Sequence, residues 1–135
     1  MGNVLPVRTD MPVRMLGVTG AVVGAGLLTL IIHTGDPSSS SWWLAAVPFA
    51  IWIIGPAIVP YLLARRLRST RVSIAMLAFL VISTALSAIA YYEAMFVSAS
   101  STAAVIFLFV PLYQWTALLV VAGVIFALAA LVKRR

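Results

Sequence analysis

Four polar residues stand where side-chain chemistry is conceivable: His33 and Asp36 close the first long apolar run, Glu93 lies near the end of the third, and Gln114 lies in the fourth. An imidazole brought beside a carboxylate can bind a metal ion or pass a proton. Counting along a helix at 1.5 Å per residue puts His33 roughly 28 Å from Arg14, and Glu93 roughly 33 Å from Arg71. With a hydrocarbon core roughly 30 Å thick, both sit at its outer edge. Counting back from Lys133 reaches the same depth near Gln114. Acids that couple transport sit nearer the midplane, where desolvation raises their pKa. The four residues are therefore expected to form an outer polar cluster with a structural role. Glu93 would accept hydrogen bonds from Tyr91, Tyr113 or the first N–H groups of the last helix, where the macrodipole favours an anion. One histidine and these acids are too thin a set for a metal site, and no nucleophile and base pair emerges, so neither a metal, a cofactor nor an enzyme is expected.

At mid-depth the inventory is small residues, hydroxyls and prolines. The stretch "GVTGAVVGAG" sets Gly20 and Gly24 at GxxxG spacing, with Gly17 and Ala21 on the adjoining strip. Such a face lets two helices approach closely. Ser83 and Ser87 give the third run a small face, and Gly123 and Ala127 give the fourth one. Whether the helix packed on each face belongs to this chain is open in the sequence. The second run, "VPFAIWIIGPAIVPYLL", holds Gly55, Pro56 and Pro60. Interior prolines free carbonyl groups and bend helices, and such bends can present backbone to a translocated species.

The elements that carry these residues follow from composition. The chain has 135 residues, 64% hydrophobic and only 9% charged, with a mean hydropathy of +1.15. Soluble domains carry about 25% charged residues, so an all-α integral membrane protein is expected. The net charge of +6 comes from nine basic residues in three clusters: Arg8 and Arg14; Arg65, Arg66, Arg68 and Arg71; Lys133, Arg134 and Arg135. Each abuts an apolar run, which is the positive-inside pattern, and anionic lipid headgroups are the expected partner on that face. The interleaved aromatics and long loops of a nucleic-acid binder are absent. Four spans result, at about 15–33, 43–64, 72–96 and 111–132, in one antiparallel bundle with both termini cytoplasmic. The connections on the other side, "HTGDPSSSSW" and "VSASST", are rich in turn residues and lack Lys and Arg.

The last apolar stretch is too long for one upright span. From Ala103 to Val132 a helix would measure roughly 45 Å. Proline suits the first turn of a helix and disfavours helical geometry in the residue before it, so the fourth span is expected to start at Pro111. Residues 103–110, "AAVIFLFV", then form a short extra apolar segment on the outer side. It either caps its own bundle or offers Ile106, Phe107 and Phe109 as anchors to a partner. The competing reading is a single tilted helix kinked at Pro111.

The first run lacks a small-x-small cleavage pattern at its exit, so a retained helix is expected. The chain has no cysteine, which removes disulfide and thiolate chemistry. Short loops and the charge asymmetry point to a bacterial inner membrane. Small multidrug exporters resemble the chain in length and span count, but they depend on a glutamate in the first span, where Thr19 and Thr29 stand here. The functional expectation is an accessory or assembly subunit that packs against a larger membrane complex or self-associates. The alternative is a small oligomeric channel or carrier using the bent second span.

Overall fold

A computed structural model describes residues 10–97 and 102–133. Arg8, Arg134, Arg135 and most of the "VSASST" connection lie outside the described residues. Those described form four helices: α1 (Asp10–Thr34), α2 (Ser40–Leu67), α3 (Thr70–Tyr92) and α4 (Thr102–Lys133), with a π-helical turn over Glu93–Val97 after α3. All four are long and apolar enough to cross a membrane, and no strand occurs among the described residues. An integral membrane protein is what such helices make.

Local chemistry sets the helix ends. Pro12 sits in the first turn of α1, where its missing N–H costs nothing. Gly35 and Pro37 end that helix, and the turn is closed by the Ser39 N–H donating to the Asp36 carbonyl at 3.2 Å. Asp36 also accepts from the Ser38 hydroxyl, and the Trp43 indole N–H donates to the Pro37 carbonyl at 3.0 Å. At the other end of α2, Arg68 adopts a left-handed conformation, φ 48° and ψ 32°, and its N–H donates to the Ala64 carbonyl. Ser69, extended, starts α3 directly afterwards.

The expected break at Pro111 is absent. α4 is one helix of 32 residues, and 103–110 form its first turns rather than a separate segment. Pro111 removes one donor and frees the Phe107 carbonyl, a loss that spanning helices tolerate because neighbouring groups compensate. Pro111 is itself fully buried. At roughly 48 Å, α4 exceeds the hydrocarbon thickness and must tilt or overhang. The third span also differs from expectation, because its α-helical part stops at Tyr92 and a wider turn carries the chain to Val97.

Packing is inverted relative to a soluble bundle. The core is one cluster drawn from all four helices: Leu16, Ala57, Ala64, Met76, Leu80 and Leu118. Around it the interior is built from small or ring-shaped residues, including Ala46, Ser73, Ser87, Pro56 and Pro60. Many large aliphatic side chains outside that cluster point outward: Val22, Leu44, Ile51, Leu86, Leu119 and Val132 are all exposed. Between helices in lipid, contact depends on close approach and van der Waals fit rather than on expulsion of water, and small residues give the closest approach.

Candidate functional site

The α1 glycines meet α2. A Cβ added at Gly20 would lie 2.7 Å from the Ala57 carbonyl oxygen, one at Gly24 3.2 Å from Ile54, and one at Gly17 3.1 Å from the Tyr61 ring. As residue numbers rise along α1, their contacts fall along α2. The backbones touch at Gly20, so the GxxxG face is filled from within the chain. Ala21 is exposed on the flank of that seam.

The α4 glycine has no such neighbour. Gly123 has nothing within 4 Å of its Cβ position, and Gly123 and Ala127 are both exposed. α4 is the least covered of the four spans.

Pro56 explains a contact that the sequence did not announce. With no N–H at Pro56, the carbonyl of Trp52 four residues earlier loses its helical donor. The Trp115 indole N–H of α4 supplies the missing bond, donating to the Trp52 carbonyl at 3.0 Å. Gly55 makes room for it: a Cβ there would overlap the Trp115 ring. Of the three residues expected to bend α2, Gly55 and Pro56 therefore dock α4, and the carbonyl freed by Pro56 is occupied. The Trp52 indole stands near Trp115 with ring centroids 6.4 Å apart, but its own N–H is buried without an acceptor.

Gln114 belongs to this interior and not to the outer cluster. Its Nε2 donates to the Ser87 hydroxyl at 2.7 Å and lies at a marginal 3.5 Å from the Ser83 carbonyl, while the Ser87 hydroxyl donates to the same carbonyl at 2.7 Å. Seven residues toward the start of α4, Phe107 stacks on Tyr91, centroids 4.8 Å apart. Gln114 therefore meets α3 about one turn before Tyr91. His33, Asp36 and Glu93 are exposed, and Gln114 joins none of them. Glu93 starts the π-helical turn, while the last helix begins at Thr102, so the N–H groups at Pro111 that it was expected to serve are inside a helix. Among the described residues no group of three or more His, Asp or Glu is placed to hold a metal ion.

The three apolar residues expected as partner anchors are divided. Phe107 turns inward onto Tyr91, Ile106 is half-buried, and Phe109 is exposed. Phe107 and Phe109, two residues apart, point to opposite sides of the uninterrupted helix, whereas Ile106, three before Phe109, shares its face.

Two cavities open at the ends of the bundle. One, of about 480 Å³, lies toward the Gly35 turn and is walled by Leu30, Ile31, Trp42, Phe49, Tyr91 and Phe107. The other, of about 490 Å³, lies at the α2–α3 turn among Arg14, Arg65, Arg68, Ser69 and Thr70. The sequence showed those arginines in two separate clusters, Arg14 in one and Arg65 and Arg68 in another; their convergence on one cavity depends on α1 crossing α2 at the glycine seam. The chain matches no protein-family model, no curated protein and no solved structure.

Proposed function

We propose that this chain is a small non-enzymatic subunit of a larger membrane assembly, packed against another membrane protein through α4. In this reading the four helices form an antiparallel bundle with both termini cytoplasmic, in a bacterial inner membrane. The observation that carries the reading is the contrast between two small-residue faces. The row on α1 is filled by α2, whereas Gly123 and Ala127 on α4 are bare. A small face gains nothing from lipid tails that a large apolar side chain would not gain, but it lets a second helix come close. The exposed Phe126 and Leu131 beside it would provide large contacts around that approach.

The carrier reading has less support. The carbonyl freed by Pro56 is taken by Trp115, and the α1–α2 seam is closed by backbone contact at Gly20. The polar groups inside the bundle, Gln114, Ser87 and Ser83, bond to each other. Native mass measurement after mild extraction from the source membrane separates the two. The proposal predicts a complex whose mass requires a second kind of protein. A particle containing only multiples of the 14.4 kDa chain contradicts it and favours the channel or carrier.

A further inference from the structure

The cavity at the α2–α3 turn gathers positive charge from two helices and a turn. Arg14 comes from α1, Arg65 from the last turn of α2, and Arg68 from the residue that caps it. The chain has three carboxylates, Asp10, Asp36 and Glu93. Asp36 and Glu93 belong to the opposite ends of their helices, leaving Asp10, one turn before Arg14, as the only acid on this side among the described residues. Against it stand Arg14, Arg65, Arg66, Arg68 and Arg71. Guanidinium groups brought together without enough acids repel one another, and an anion placed among them removes that repulsion.

The start of α3 faces the same cavity through Ser69 and Thr70. Its first turn carries no acidic residue, and Ser69 makes no side-chain capping bond. The hydroxyl and the first backbone N–H groups of a spanning helix are thus left without the partners that normally serve them, next to three arginines. Arg68 adds a separate sign. Its φ of 48° is the left-handed region, which is unfavourable for a residue with a Cβ and which glycine occupies without cost. At a helix end of this kind glycine is the usual residue, and here the chain carries a guanidinium instead.

We infer that this cavity is a binding site for a phosphate group, presented by the headgroup of an anionic phospholipid. At about 490 Å³ it has room for a glycerol phosphate as well as for phosphate alone, since one water occupies about 30 Å³ of liquid. Exposed Met15, Leu62 and Ile74 lie within about a turn of its lining residues on α1, α2 and α3. They provide apolar surface along which acyl chains run toward the bilayer. Guanidinium forks match phosphate oxygens in pairs, and a site of this kind differs from diffuse surface attraction by depending on particular arginines.

The test uses the full chain, extracted in mild detergent and titrated with dioleoylphosphatidylglycerol, dioleoylphosphatidylcholine or inorganic phosphate, with retained ligand read by native mass spectrometry and unfolding by circular dichroism. Phosphatidylglycerol is expected to be retained and to raise the melting temperature, while phosphatidylcholine and inorganic phosphate have little effect. Arg68→Gly relieves the left-handed backbone and is expected to fold at least as well as the parent in phosphatidylcholine, yet to hold phosphatidylglycerol about tenfold more weakly. Arg71→Gln removes the same charge outside the cavity and is expected to bind as the parent does. Equal weakening by both substitutions, or no preference for the anionic lipid, overturns the site. An equal response to inorganic phosphate overturns the lipid as its source while retaining the phosphate chemistry.

Discussion

Trp52 shows how one residue can both need and lack a hydrogen bond. Its carbonyl, freed by Pro56, is satisfied by the Trp115 indole, whereas its own indole N–H is buried with no acceptor. A buried unsatisfied donor costs about 1–3 kcal/mol. Trp52→Phe deletes that donor, keeps an aromatic ring near Trp115 and leaves the backbone acceptor in place. It is expected to raise stability by about 1 kcal/mol, measured by thermal or detergent unfolding followed by circular dichroism. A clear loss would mean that the N–H has a partner in the bilayer. Single residues were only partly legible in the sequence. That Pro56 leaves a carbonyl without its helical donor was visible, but not that Trp115 supplies the missing bond, because that pairing joins residues 63 apart in the chain. The pairing of Gln114 with Ser87 was not legible, because counting from Lys133 fixes a position along α4 and not its register against α3.

At the scale of elements, the α1–α2 seam brings two backbones into contact, and its closeness lies in one row of glycines. Gly20→Ala forces a methyl against the Ala57 carbonyl, where neither backbone can yield without moving a helix. A loss of about 1–3 kcal/mol is expected, with Gly26→Ala as the matched control on the same helix, because nothing lies within 4 Å of Gly26. A helical interior gains slightly when glycine becomes alanine, so the control should be neutral or stabilised. Equal effects of the two substitutions would remove the seam as the source of stability. Helix number and type were legible here because long apolar runs between arginine clusters leave few alternatives. The helix through Pro111 was not, because the rule that proline starts helices assumes a backbone that water can rescue, and a spanning helix continues instead with help from its neighbours.

The whole molecule presents large aliphatic side chains outward on every helix and holds the Gln114–Ser87 and Trp115–Trp52 bonds between its helices. Lipid covers most of such a surface, so what distinguishes a docking face is not apolarity but shape. Whereas the α1 strip is covered by α2, the small-residue strip of α4 is exposed, with nothing within 4 Å of a Cβ at Gly123. Its existence was legible from the spacing of Gly123 and Ala127, but its vacancy was not, since the sequence gives no register between α4 and the other helices. A photoreactive amino acid at Ala127, activated in the source membrane, tests the assembly role most directly, with the same probe at exposed Val22 on α1 as the reference. The expected product is a discrete protein adduct from position 127 alone, at a mass that is not a multiple of the 14.4 kDa chain. Lipid adducts only, equally from both positions, would contradict the account.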